Sequence, residues 1–469
     1  MEIHGKHVRR DVFIRIIIMI NLLVCCICLK SQNQSKEQIE KQLLNAARVN
    51  IEKYRKGNAV VSFTDRKGEK LRNLQVEVNQ ITQDFLFGNL SEEIFHPDLT
   101  PEEVSKFKEY FTRLFNFTEL TVKWSPYEGV QGKPQWEKLQ RKLDWCHENG
   151  IIPKGHTLGW TNMSGTPSWL LQLSLEKTYD LYKARIYNLV GGFKNQITMW
   201  DVVNEPITTV PWHIAMKDSV FGESLIDEGD RYNTKNISLE EVIPWVENSL
   251  RWAYEANPQS DLMLNEFYII AKPEIREKFY RLIKELQKRQ VPLTGIGIQA
   301  HEPREMWFSP VEIIATYDKY RELGIPIHIT EFIPQSSMKP ITGGWREGVW
   351  TEEAQAEFAE QFYILSFGHP SVASIHWWGL TDRMIWLEGG GLLDKEFKPK
   401  PVYKRLVKLI KEDWMTKNLR VRTRDNGEVA FRGFYGQYQI IVHAPDGSLQ
   451  KFDFHLKEGE SNAWVFQLN

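Results

Sequence analysis

Between Phe85 and Trp414 the chain alternates short apolar runs with longer amphipathic stretches. The short runs are Phe85–Asn89, Leu120–Trp124, Ile152–Leu158, Ile197–Val203, Leu262–Phe267, Gly295–Gln299, Ile327–Phe332 and Ser374–Trp378. Their length and their β-branched and aromatic content predict buried strands. Between them, Glu102–Phe115, Trp136–Asn149, Tyr179–Val190, Pro273–Gln290 and Val311–Leu323 repeat apolar residues every three to four positions, which predicts helices. Eight strands alternating with helices predict an α/β chain whose residues 85–415 form a (β/α)8 TIM barrel. An open doubly wound sheet is disfavoured, because no glycine-rich dinucleotide fingerprint follows the first strand.

On either side of this region the period changes. Residues 31–57 are polar and helix-compatible, and Ala59–Thr64 and Leu74–Asn79 alternate around the turn-prone Asp65-Arg-Lys-Gly68, which predicts an N-terminal β-hairpin within residues 31–84. After Trp414, five alternating runs appear: Leu419–Thr423, Val429–Phe434, Tyr438–His443, Leu449–Leu456 and Ala463–Leu468. Asp425-Asn-Gly427 and Asp446-Gly447 are hairpin turn signals among them. Residues 416–469 therefore read as a small β-sandwich-like accessory module. It is too small to stand comfortably alone, so it is expected to pack on the barrel or join the N-terminal hairpin in one sandwich.

Residues 1–30 read as a signal peptide: Lys6, Arg9, Arg10 and Arg15 precede the apolar run Ile16–Leu29. That run falls short of the roughly 20 residues of a membrane span, so a secreted, periplasmic or cell-surface protein without a membrane span after cleavage is expected. Of the four cysteines, Cys25, Cys26 and Cys28 lie in the leader, which leaves Cys146 and no internal disulfide. Cys146 sits in a helical pattern and reads as a buried small hydrophobe. A net charge of −2 gives no reason to expect nucleic acid as a partner. The 17 tryptophans exceed what core packing usually calls for, and an indole face suits the C–H face of a pyranose.

Barrel active sites lie at the C-terminal ends of strands. Reading those ends yields Glu119 and Lys123, His156 and Trp160, Asn204 and Glu205, Asn265, Gln299 and His301, Glu331, and then Trp378, Asp382 and Trp386. Acids, amides, a lysine and indoles make a carbohydrate cleft. No metal is expected, since no acidic or histidine cluster has ligand spacing and His156-Thr-Leu-Gly-Trp160 is not a zinc helix. No cofactor is expected either. Two carboxylates suffice to cleave a glycosidic bond. Trp200-Asp-Val-Val-Asn-Glu-Pro206 ends the fourth strand and Ile329-Thr-Glu-Phe332 the seventh, on facing sides of an eight-stranded barrel. Glu388-Gly-Gly-Gly391 reads as a flexible cleft loop rather than a phosphate cradle.

With Phe115-Asn-Phe-Thr-Glu-Leu-Thr-Val-Lys-Trp124, Gly155–Trp160, Gly295-Ile-Gly-Ile-Gln-Ala-His301, Ser374-Ile-His-Trp-Trp-Gly379, Gly391-Leu-Leu-Asp394 and Lys400-Pro-Val-Tyr403 in order, the chain resembles glycoside hydrolase family 10, the β-1,4-xylanase family. The resemblance implies a retaining endo-xylanase with Glu205 as general acid/base and Glu331 as nucleophile. Retention requires carboxyls about 5–5.5 Å apart. It further implies that Asn204 holds the 2-hydroxyl at the cleavage point. Lys123, His156, Trp160 and Trp378 would bind that sugar or its neighbour, with Glu119 and Asn265 completing the substrate-binding set. Gln299 and His301 would orient the carboxylates, and Trp386 would close the space of a glucose CH2OH, favouring xylose. Xylan or a related β-glycan is thus the expected partner, and a monomer the expected state.

The chain departs from the family pattern at four places. Leu120 stands for an Asn, a loss of about 0.5–1.5 kcal/mol for a missing sugar hydrogen bond. Thr161 stands for a His and is followed by a longer stretch before Pro167-Ser-Trp169. Asn265-Glu-Phe-Tyr268 replaces Asn-Asp-Tyr-Asn, and Ile333 replaces an Asp that pairs with the histidine matching His301. Without that acid His301 is expected to hold its proton less tightly, displacing the pH optimum, and Ile333→Asp is expected to move it. A retaining β-glycosidase acting on another β-glycan or a short glycoside is the alternative. A non-catalytic glycan-binding protein is a further one, opposed by the presence of both acids.

Overall fold

A computed structural model describes residues 35–218, 237–444 and 446–468; the leader lies outside the described residues. After a helix over Lys36–Tyr54 the strands are β1 (Lys56–Thr64), β2 (Gln75–Gln80), β3 (Leu86–Asn89), β4 (Phe117–Thr121), β5 (Ile152–Gly159), β6 (Met199–Asn204), β7 (Asp261–Glu266), β8 (Gly295–Ile298) and β9 (Ile327–Phe332). The short pair β10 (Pro340–Ile341) and β11 (Gly348–Val349) and the strand β12 (Val372–Trp377) follow. The last five are β13 (Leu419–Arg422), β14 (Glu428–Phe434), β15 (Gly436–His443), β16 (Leu449–Leu456) and β17 (Ala463–Gln467). Strands β3 to β9 and β12 close into an eight-stranded parallel barrel.

Every residue of β6 and β9 is buried, as expected of strands covered on one face by helices and filled with side chains on the other. The helices begin where local chemistry dictates. Thr100 and Glu103 form a reciprocal capping box before Pro101–Leu114, and Phe107, Phe111 and Leu114 turn one face to the barrel. The fourth predicted helix starts at Pro273 as read, and Ile275, Phe279, Leu282, Ile283 and Leu286 form its buried stripe.

One strand differs from expectation. The run Leu120–Trp124 is apolar, but the strand is Phe117–Thr121, and Trp124 opens a one-turn helix to Tyr127. Trp124 is buried among Trp169, Tyr182 and Trp212 above the sheet, so hydrophobicity there reports burial rather than extension. The tryptophan excess also has a different origin from the one expected. Trp124, Trp200, Trp212, Trp245, Trp307, Trp350 and Trp377 are fully buried, so much of it is core. Trp136 instead lies 40% exposed, stacked on Phe193. Cys146 is buried, and burial pushes its thiol up to about 12. Among the described residues no helix is long and apolar enough to cross a membrane.

The predicted N-terminal hairpin is not one. β1 lies between β14 and β17, whereas β2 lies between β13 and β15 in the opposite sheet. The segment after Asp65 arches from one sheet to the other because Val61 and Phe63 of β1 and Val76 and Val78 of β2 need the same core. Tyr438, Ile440, Val442 and Leu456 complete that core, so segments before and after the barrel share one sandwich. Arg55, just before β1, fastens it to the barrel. Its Nε donates to Phe367 O (2.7 Å) and its Nη2 to His369 O (2.6 Å) and Val372 O (2.7 Å), and its plane lies over Phe85 and Phe367. These include carbonyls that the end of the helix Glu352–Gly368 leaves without helical partners.

Candidate active site

Strand β6 ends in Asn204, and Glu205 then adopts a left-handed backbone (φ 55°) that turns its carboxyl back over the barrel mouth. Its N–H donates to Asn265 O (2.7 Å), and its carbonyl accepts from Thr209 N (2.9 Å) and Thr209 Oγ1 (2.7 Å). Glu266 braces the same turn from β7, accepting from Ile207 N (2.8 Å), Thr208 Oγ1 (2.5 Å) and Phe267 N (2.9 Å). Burial, and then the charge of Glu205, push Glu266 up to about 8. Opposite, β9 carries Glu331 one residue before its end.

A chain of amides joins the two carboxyls. Asn204 Nδ2 donates to Glu205 Oε1 (3.0 Å), and Asn265 Nδ2 donates both to Asn204 Oδ1 (2.8 Å) and to Glu331 Oε1 (2.7 Å). Thr330 Oγ1 donates to Asn265 Oδ1 (2.6 Å), and the Glu331 carboxylate, which only accepts, fixes which way that amide faces. Gln299 Nε2 reaches Glu205 Oε1 (3.2 Å) and Asn204 Oδ1 (3.3 Å), and its Oε1 meets His301 Nε2 at 2.6 Å. Ala300 between them is left-handed (φ 58°), which lets side chains two residues apart meet. His301 Nε2 is also 3.6 Å from Glu331 Oε2, and Trp160 Nε1 donates to Glu205 Oε2 (2.8 Å).

The two carboxyls are displaced in opposite directions. Burial, and then the charge of Glu331, push Glu205 up to about 7. Burial works against the charge of Glu331 too, but the close approach of His301 and the fields of His156, His301 and Lys123 outweigh it and hold the group below its ordinary value.

Lys123 Nζ lies 4.8 Å over the Trp160 ring and 5.9 Å from that of Trp378, and the ring of Trp378 meets His156 edge-on at 5.3 Å. Trp386 is 48% exposed on the other flank, edge-on to His301 at 5.6 Å. There a cavity of about 510 Å³ opens, lined by Glu205, Trp160, Phe267, Tyr268, His301 and Trp386. Eleven of the twelve expected residues thus gather around the barrel mouth. Glu119 does not reach its surface: it is a mid-strand residue of β4, fully buried beneath the cleft, and pairs with Lys154 Nζ at 2.7 Å.

That buried group went unread in the sequence. Lys154 also pairs with Asp201 Oδ2 (2.8 Å), and the same oxygen holds His156 Nδ1 (2.9 Å). Glu119, His156 and Asp201 have ligand atoms within 4.8 Å of one another, the spacing of a cation site, and the Lys154 ammonium stands beside two of them. Burial works against charge throughout, yet Lys154 keeps Asp201 below its ordinary value, while Glu119, desolvated and beside Asp201, is raised well above its own. A signal existed: Lys154 and His156 alternate on one face of β5, where inward charge is unusual, and His156 is in register with Asp201 of β6. Asp382 pairs with Lys400 (3.0 Å). The glycine run beside it is pinned rather than loose, since Gly389 O accepts from Ser336 N (3.0 Å), Gln355 Nε2 (2.8 Å) and Lys400 Nζ (2.9 Å).

Ile333 is buried against Trp378 and Leu387, so an aspartate there does more than tune His301. Ile333→Asp is expected to cost about 2–4 kcal/mol of stability at neutral pH. The loss should shrink below about pH 4, where the new acid is protonated in folded and unfolded chains alike. Denaturant unfolding at the two pH values measures it.

The profile of Glycosyl hydrolase family 10 matches residues 80–409. Endo-1,4-beta-xylanase B of Thermotoga neapolitana is 26% identical over 325 residues, covering 66% of this chain and 85% of that protein. Endo-1,4-beta-xylanase 3 of Arabidopsis thaliana is 25% identical over 421 residues, 88% of this chain and 49% of its own, so that likeness runs beyond the barrel. Among solved structures, xylanase 10B from Thermotoga petrophila RKU-1 in complex with xylobiose has the same fold at 24% identity (TM-score 0.55), covering 70% of this chain and 95% of that one. Barrel, paired carboxyls and family profile agree: the chain belongs to glycosyl hydrolase family 10.

Proposed function

We propose that the chain is a retaining endo-β-1,4-xylanase with Glu205 as general acid/base and Glu331 as nucleophile. The opposite displacement of two carboxyls tied into one amide network carries this reading, with Glu205 at about 7 and Glu331 below its ordinary value. Glycoside cleavage needs such a pair, one acid still protonated and one carboxylate already ionised. First, Glu205 gives its proton to the glycosidic oxygen as a Glu331 oxygen bonds to the anomeric carbon and the bond to the departing chain breaks. Glu205, now ionised, then takes a proton from a water whose oxygen attacks the same carbon. The bond to Glu331 breaks, both groups return to their starting forms, and the configuration is retained.

The indoles of Trp160 and Trp378 and the Lys123 ammonium suit a glycone sugar, and Trp386 on the opposite flank suits closing the space of a glucose CH2OH. The xylanase names of the relatives support xylan as the polymer. We also propose export by residues 1–30, supported by their basic-then-apolar order and tested by N-terminal sequencing of secreted protein.

Because Glu205 must be protonated, kcat/KM is expected to fall as pH rises past about 7, and to fall on the acid side only as Glu331 becomes protonated. Reducing ends released from xylan, mixed-linkage glucan and cellulose by the wild type, Glu205→Gln and Glu331→Gln test the assignment. A folded wild type inactive on all three would sink it.

A further inference from the structure

The ring of His301 has two ends, and one of them is unsatisfied. Gln299 Nε2 donates to Glu205 and Asn204, so the atom facing His301 Nε2 is the amide oxygen, and Nε2 must carry a hydrogen. Nδ1 is buried and lacks a hydrogen-bond partner among the described residues. The carboxylate facing it belongs to the next residue: Glu302 Oε1 lies 3.8 Å from Nδ1 and is only 13% exposed. That same oxygen is held by Arg304 Nε at 2.7 Å. The Arg304 guanidinium in turn lies 4.5 Å over the exposed ring of Trp386, on the cleft wall. A line of close approaches therefore runs from the cleft wall at Trp386, through Arg304, Glu302 and His301, to Glu331.

We propose that Glu302 is a positioning residue for His301, supplying the counter-charge at Nδ1, and that Arg304 governs how much of that charge His301 receives. The inference rests on the xylanase reading and deepens it. A carboxylate beside Nδ1 stabilises positive charge on the ring whose Nε2 side faces Glu331, and so favours the ionised nucleophile. Arg304 competes for the same Glu302 oxygen. Among the described residues, the other charged and titratable groups named around this ring are Glu205 from the end of β6, Glu331 from β9, and, acting on Glu331 from across the mouth, His156 and Lys123.

The two variants predict opposite outcomes. In Glu302→Gln the ring loses its neighbouring negative charge, so the acidic limb of kcat/KM on xylan is expected to move up by about one pH unit. In Arg304→Ala, Glu302 is freed and the limb is expected to move down. Glu302→Asp should recover part of the wild-type profile. Direct repulsion between Glu302 and Glu331 acts the other way: were it the larger effect, Glu302→Gln would move the limb down. A merely structural wall would change KM alike in both variants and leave both limbs in place. Thermal melting of each variant identifies loss of fold, and the Arg304→Ala profile tests the sign even if Glu302→Gln folds poorly. Limbs that coincide with the wild type, or that move the same way in both variants, overturn the proposal while leaving the xylanase reading intact. A folded wild type without activity on any β-1,4-glycan removes the xylanase reading, and this one with it.

Discussion

Glu331→Gln is expected to lower kcat on xylan by a factor on the order of 10⁴ to 10⁶, because it removes the atom that bonds to the anomeric carbon. The amide is nearly isosteric and its oxygen can still accept from Asn265 Nδ2, so the barrel should keep its stability. Glu205→Ala should behave differently. Its loss on xylan is expected to be about 10²- to 10⁴-fold, since the departing sugar then leaves without a proton. On an aryl xylobioside with a good leaving group the first step needs little protonation and should persist, leaving the glycosyl-enzyme to accumulate. Added azide should then speed turnover and give a β-glycosyl azide for Glu205→Ala, and do nothing for Glu331→Gln. Steady-state kinetics and product NMR with both variants decide the roles, and an azide response in Glu331→Gln would reverse them.

The largest expected loss of stability belongs to Lys154, which touches no cleft surface. Its ammonium is shared by Glu119 (2.7 Å) and Asp201 (2.8 Å), with all three side chains buried. Lys154→Met leaves Glu119 without its cation and Asp201 with His156 alone, and is expected to cost about 3–5 kcal/mol near neutral pH. The sign with pH follows from Asp201. Its folded value is depressed, so the stability that Lys154 secures is present above the unfolded carboxylate value and is lost as pH falls through the folded one. The gap between wild type and variant should therefore be widest near neutrality and narrow below about pH 4. Adding Asp201→Asn and Glu119→Gln to Lys154→Met should return part of the loss. Urea unfolding of the three proteins measures this, and a pH-independent gap would contradict the account.

The barrel was legible because its information is periodic: eight apolar runs between amphipathic helices, and a Glu two residues past Val203 and two past Ile329. What was not legible depends on partners distant in sequence. Glu119 looked like a strand-end acid, but the strand ends at Thr121, and its partner Lys154 lies on the next strand. Asp65–Gly68 looked like a hairpin turn, because turn chemistry is local while the choice of sheet is made by strands more than 300 residues later. Glu302 and Arg304 offered no motif. Their meaning comes from a buried histidine nitrogen that lacks a hydrogen-bond partner among the described residues.

The shared sandwich imposes an order on synthesis. Strands β1 and β2 leave the ribosome early, yet among the described residues their sheet neighbours all lie in β13 to β17, so neither can complete a sheet until the roughly 340 residues between Gln80 and Leu419 have been made. At about 5–20 residues per second that wait lasts roughly 20–70 s, during which two alternating apolar edges are exposed beside a folding barrel. A chain halted anywhere before Leu419 carries those edges permanently, so incomplete products should be sticky in a way that the finished protein is not.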